Sequence, residues 1–374
     1  RMLGDNVRFY KGDMKSLAAD LICEDLIKHL KVLAEDEFTE KIFWEDYYPT
    51  LFSFIRHGKN AILENDQIFT NERILDAVRE YRRRFQAKEY FTNPKFDVVG
   101  ITTLFTFYWK ITIDTINFAK QLCKDKANVL IGGIMSTILA DQVEKETGIA
   151  PKRGVLSEPG ALDSGNDLVI DELPLDYSIL EEIDYVYPAS DAYFAYTTRG
   201  CINRCKFCAV PTLEPTYHDF IDLKRRIEQT NERFGPRKNL LLLDNNVLAS
   251  KSYDRIIDEI KECGFGVGAT YSLHNEYEIV IRNLRESYND RAYIRKAISI
   301  YKDIVNKLDN DQERAKLYTR LEQNHCLHYY SADKEKILEL DEYVRPLYEK
   351  THKPSKRKRT VDFNQGIDSR LVTK

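Results

Sequence analysis

Three of the seven cysteines in this 374-residue chain stand where they could do chemistry. They lie in Arg199-Gly200-Cys201-Ile202-Asn203-Arg204-Cys205-Lys206-Phe207-Cys208, at i, i+4 and i+7, directly after an aromatic and small-residue run at 192–198. A loop with this spacing can turn the thiolates of Cys201, Cys205 and Cys208 towards one [4Fe–4S] cluster. Three protein ligands leave one iron open, and open coordination positions are where catalytic metals take a substrate or cofactor. Zinc is the competing reading, but it asks for a fourth ligand, and the nearest histidine, His218, has no matching pair. The remaining cysteines, Cys23, Cys123, Cys263 and Cys326, are scattered as buried, unpaired thiols are. One metal site in a reducing, cytoplasmic setting explains this distribution better than a disulfide framework does.

The elements that must position the triplet follow from hydrophobic period. Leu17, Leu21, Ile22, Leu26 and Leu30 predict a helix over 15–35. Residues 36–94 read as further helices, clearest at 72–87. The texture then changes. Phe96-Asp97-Val98-Val99-Gly100-Ile101-Thr102 is a β-branched run typical of a buried strand. A helix over 109–123, a strand at 128–131 closed by Gly132 and Gly133, and a helix over 136–146 follow. This order implies parallel strands with right-handed crossovers. A glycine pair at a strand's C-terminal edge lets a ligand or another backbone approach closely, and a plain turn has the same signature. Residues 151–191 are punctuated by Pro and Gly and read as a linker. After it come a strand at 192–198, the cysteine loop, a helix over 223–233, an apolar strand at 239–244, a helix over 253–263 and a strand at 360–363. That rhythm is the rhythm of a β/α barrel. Between the last two elements, about 275–355, apolar steps of three and four predict a helical insertion.

With these elements placed, the Cys-x3-Cys-x2-Cys loop after a first barrel strand resembles the radical S-adenosylmethionine superfamily. The resemblance implies that the open iron chelates the methionine moiety and that reductive cleavage gives a 5′-deoxyadenosyl radical, used for methylation, methylthiolation or rearrangement. It implies that Phe207 lies near the adenine, although an aromatic in such a loop also fills space. Asp244-Asn245-Asn246 departs from the Gly-Gly-Glu of many relatives and is similar to the variant in cobalamin-linked ones, which gives Asp244, Asn245 and Asn246 a cofactor-binding role, with a turn or cap as the alternative. Asn364 and Gln365, in Phe363-Asn364-Gln365-Gly366, resemble the stretch that lines the nucleoside pocket; a turn at Gly366 competes. A reductant protein such as flavodoxin or ferredoxin is the implied partner.

The first part of the chain resembles the Rossmann-like, cobalamin-binding-like module that precedes many such enzymes. The implied organisation is that module at 1–150 with a helical insertion, a linker at 151–191, and a partial barrel at 192–374. The Asp-x-His-x-x-Gly signature is absent. Cobalamin at Gly132 and Gly133 would therefore bind without a histidine ligand, or not at all. Only three barrel strands are recognisable and the chain begins with Arg1, so we expect a piece of a longer protein.

Composition narrows the classes further. Hydrophobic residues make up 43% and charged residues 31%, with a net charge of −4, which fits a globular protein and does not point to nucleic acid. No apolar run is long enough for a membrane span. The cationic run Lys353-Pro354-Ser355-Lys356-Arg357-Lys358-Arg359 could touch phosphate, as in tRNA, but reads better as a solvated connection into the last strand. His325, Cys326 and His328 read as packing residues of the helical insertion. A non-catalytic iron–sulfur or zinc module that binds RNA or protein remains the alternative to an enzyme.

Overall fold

Leucine and isoleucine at one-face spacing fold the N-terminal part of the chain into helices. The computed structural model describes residues 1–363 apart from Met2, Ala61, Ile62, Glu64, Asn65 and Ser164. Asp13 opens α1 (Met14–Glu37), its carboxylate accepting from Lys15 N, as N-cap residues do. α1 packs on α2 (Tyr48–His57) and α3 (Glu72–Gln86), with the short α4 (Glu89–Thr92) alongside. Leu26, Leu30, Leu51, Ile55, Ile74 and Trp44 are wholly buried between them.

β1 (Val99–Thr103) and β2 (Val129–Gly133) pair in parallel, Val99 opposite Val129 and Thr103 opposite Gly133, with α5 (Trp109–Ala119) in the crossover. The helix expected over 136–146 is two helices, α6 (Ile134–Ile138) and α7 (Ala140–Thr147), because Leu139 leaves helical geometry (φ −114°, ψ 36°). Ile113 and Ile116 pack on Ile131, Met135 and Val143. The described residues of 151–191 hold only short 3-10 helices, at Ile170–Glu172 and Tyr177–Glu181. Tyr177 nevertheless anchors this segment, its hydroxyl accepting from Phe194 N at 2.8 Å.

The second parallel sheet is built on β3 (Ala192–Ala195) and β4 (Asn239–Leu242). The intervening helices are α8 (Val210–Leu213) and α9 (Leu223–Phe234), with α10 (Tyr253–Glu262) after β4. Leu240 and Leu242 are buried against Ile227, Ile256 and Ile260. The chain continues through β5 (Thr270–Ser272), α11 (Glu276–Arg285), α12 (Asp290–Lys307), α13 (Asp311–Gln323), α14 (Lys334–Glu339) and α15 (Asp341–Thr351). These helices bury a core of their own around Tyr277, Tyr301, Leu317 and Ile337. β6 (Lys356–Lys358) returns antiparallel to β5, and β7 (Val361–Phe363) joins β4 in parallel, giving the order β3-β4-β7. The architecture is mixed α/β, mostly helical, with small parallel sheets. The strands of the described residues close no barrel.

Two expectations need correction here. The basic run is not simply a solvated connection. Lys356–Lys358 is an exposed edge strand, and charged side chains on an edge strand keep other chains from pairing with it. Arg359 turns inward. Its guanidinium donates to the carbonyls of Arg237, Lys238, Cys263 and Gly264 at 2.8–3.4 Å and lies 4.1 Å over the Phe265 ring. The strand expected at 192–198 ends at Ala195 because the backbone of Thr197 and Thr198 is engaged by a side chain instead. No helix among the described residues is long and apolar enough to cross a membrane.

Candidate metal-binding loop

The cysteine loop leaves the C-terminal end of β3, and its base is fixed from three sides. Asp244, at the end of β4 and 2% exposed, accepts through Oδ1 from Thr197 N at 2.9 Å, Thr197 Oγ1 at 2.8 Å, Thr198 Oγ1 at 2.7 Å and Thr198 N. Arg199 and His218 exchange backbone hydrogen bonds at 3.1 and 2.9 Å, closing the loop on itself. Gly200 has φ +72°, and a Cβ there would lie 2.5 Å from the Thr216 carbonyl oxygen. Only glycine fits this crossing without strain.

Within the loop, Cys201, Cys205 and Cys208 are partly exposed and none of the chain's described cysteines is disulfide-bonded. Cys208 N donates to Cys205 O at 3.0 Å, and Asn203 N to Cys201 Sγ at 3.4 Å. Phe207 is 93% exposed, so its ring does not pack into the loop. α8, which follows, packs on α6 of the first sheet unit. Tyr217, on the returning limb, donates to Asp219 at 3.1 Å. Burial, then Asp219, and more weakly the neighbouring Cys201, push its phenol up to about 12. Asp219 is held below the usual carboxylate range by Ser252 Oγ and Lys251 N.

The donor chemistry of the triplet fits an iron–sulfur cluster: three free thiols on one short loop. The other four cysteines are differently placed. Cys23, Cys123 and Cys326 are buried, and burial raises the thiol pKa of all four, Cys263 to about 11. The triplet's geometry is open, however. Among the described residues no three His, Cys, Asp or Glu side chains are gathered to hold a metal ion. To ligate one cluster, the three thiols must draw together from the arrangement seen here.

The other expected site residues divide. Asp244 is committed through Oδ1 to the loop base, while its Oδ2 and Asn246 Oδ1 are buried with no hydrogen-bond partner. Asn245 donates to Glu214 at 2.8 Å. Asn364 and Gln365 lie outside the described residues. Gly133 has φ +101°, and a Cβ would lie 2.2 Å from Thr103 O. The approach of β1 accounts for this glycine, and a Cβ on Gly132 would meet only Lys152 O at 4.0 Å. His325 stacks on Phe43 and pairs with Asp46, His328 stacks on Tyr330, and Cys326 is buried: all three are packing residues. A cavity of about 500 Å³ lies apart from the loop, between α9, α11 and α15. Its arginines are engaged, Arg285 and Arg345 by Asp341 and Arg282 by the Arg233 carbonyl.

Sequence reasoning missed Glu214 and Arg199. Glu214 accepts from Gly200 N and Asn245 Nδ2, and Arg199 lies 3.2 Å from both Glu214 and Asp171 while stacking on Tyr196. These contacts join residues up to 31 positions apart, which no local spacing announces. Comparison with family models, curated proteins and solved structures finds no match to this chain.

Proposed function

We propose that the chain is a radical S-adenosylmethionine enzyme whose [4Fe–4S] cluster is held by Cys201, Cys205 and Cys208. The observation that carries this reading is the setting of the three thiols. They are free and partly exposed on one loop at the C-terminal end of a parallel strand, the edge where α/β folds build their sites. When bound, the cluster supplies the electron that cleaves S-adenosylmethionine.

The chain's own residues bind and orient. Asp244 holds the first turn of the loop to the end of β4 through Thr197 and Thr198. The unpartnered Asp244 Oδ2 and Asn246 Oδ1 are acceptors suited to a cationic amino group, which would offset the cost of leaving them buried and unpaired. Phe207 offers an open ring face for a base. In this reading residues 1–150 are the preceding Rossmann-like module, residues 192–374 are part of a radical-enzyme barrel with its helical insertion at about 275–355, and electrons come from a flavodoxin or ferredoxin. Gly133 is explained by packing against β1 and is not by itself a cobalamin contact.

The test is anaerobic incubation of the reconstituted full chain with S-adenosylmethionine and dithionite. Release of methionine and 5′-deoxyadenosine, lost in Cys205→Ala, is expected. A chain that carries zinc without sulfide and releases neither product is a metal-binding module, and the enzyme reading fails.

A further inference from the structure

Glu214 touches two segments that the sequence keeps apart, Arg199-Gly200 and Asn245. Its Oε2 accepts from Gly200 N and from Asn245 Nδ2, both at 2.8 Å, and its Oε1 lies 3.2 Å from the Arg199 guanidinium. Gly200 immediately precedes the first cysteine, and Asn245 follows Asp244 at the end of β4. Arg199 continues the chain of contacts to Asp171 of the linker at 3.2 Å. The side chains of Arg199 and Glu214 are only 12% and 16% exposed, so water screens this pair less than it screens a surface pair. Asp244 secures the residues before the loop, and the Arg199–His218 bridge closes its neck. Glu214 alone of these fasteners ties the returning limb both to the start of the cysteine segment and to the edge of β4.

We infer that Glu214 is a positioning residue that clamps the cysteine loop and sets where Cys201 stands relative to the end of β4. The seating of a cluster by this clamp rests on the function proposed above; the clamp itself rests on geometry alone. Removing the carboxylate frees Gly200 N and Asn245 and leaves Arg199 with Asp171 as its only acidic partner among the described residues. Glutamine retains an acceptor oxygen but not the charge.

Two readouts separate the clamp from the cluster. In the metal-free protein, amide exchange at Gly200 is expected to quicken at least about tenfold in Glu214→Ala, by loss of a charge-assisted hydrogen bond. Thr197 and Thr198 are held by Asp244 rather than by Glu214, so their exchange is expected to quicken less than that at Gly200. Glu214→Gln, which preserves the shape of the side chain, falls between. In the reconstituted protein, Glu214→Ala is expected to change the electron paramagnetic resonance spectrum and its response to S-adenosylmethionine, with partial recovery in Glu214→Gln. Unchanged exchange at Gly200 overturns the clamp. Faster exchange with a spectrum identical to that of the unaltered chain overturns the positioning role. If the unaltered chain forms no cluster, the proposed function fails while the exchange result still decides whether Glu214 holds the loop.

Discussion

Replacing Asp244 with alanine removes the acceptor that holds the start of the cysteine loop. Oδ1 takes hydrogen bonds from two backbone amides and two hydroxyls, all on Thr197 and Thr198, which are themselves fully buried. The hydroxyls can rotate to other partners. The amides cannot, and each buried donor left unpaired costs about 1–3 kcal/mol. Allowing for water entering the vacated space, the loss is about 3–4 kcal/mol. Asparagine keeps a carbonyl oxygen in place and gives up only the charge, a loss of about 1–2 kcal/mol. The assay is amide exchange at Leu243, whose N–H donates to Ala195 O at 2.8 Å and so reports the opening of β3 from β4. Exchange should quicken by a few hundredfold in Asp244→Ala and by about tenfold in Asp244→Asn. An alanine effect below about tenfold would refute the reasoning, because Asp244 would then not be the fastener of this strand end. Equal effects of the two substitutions would assign the loss to charge rather than to the acceptor.

Two other outcomes follow from the same contacts. Arg359→Ala should lower stability by about 2–4 kcal/mol, since its guanidinium serves four carbonyls and covers Phe265. Lys356→Ala and Lys358→Ala, on the exposed edge strand, should change it by no more than about 0.5 kcal/mol; urea midpoints that rank these variants otherwise contradict the assignment. Stability should also fall as pH rises from about 9 towards 11. Burial pushes the Cys263 thiol up to about 11 from 9.0 and the Tyr177 phenol up to about 12 from 10.0. The unfolded chain therefore loses these protons first, and the stabilisation, full below pH 9, drains away above it. A urea midpoint equal at pH 8 and pH 10.5 would refute this.

The parts of the fold with a strong period were legible. The leucine stripe of α1, the charged and apolar faces of α3 and α9, and the apolar runs of β1, β2 and β4 stand close to where their patterns put them. The β5–β6 pair was not legible, because the alternation of Thr270-Tyr271-Ser272 spans only three residues and Lys356-Arg357-Lys358 carries none. The end of β3 was overrun because Tyr196, Thr197 and Thr198 have good strand propensity, which the Asp244 contacts override. At the loop, spacing identified the three cysteines but said nothing of what holds them. Glu214, Arg199 and Asp244 act through tertiary contacts, and Asp244 Oδ1 and Asn245 Nδ2, in residues read as cofactor ligands, are spent on the loop itself. Gly133 illustrates the same limit: a glycine at a strand end marks close approach, and here the approaching group is Thr103 of the neighbouring strand.

The central claim is that three thiols of one loop carry an iron–sulfur cluster. Anaerobic reconstitution of the full chain, followed by iron and sulfide analysis, tests it most directly. We expect about four iron and four sulfide per chain with an absorbance band near about 400 nm, all reduced to background by Cys205→Ala. A Cys205→Ala chain that retains the full complement of iron and sulfide would contradict the claim.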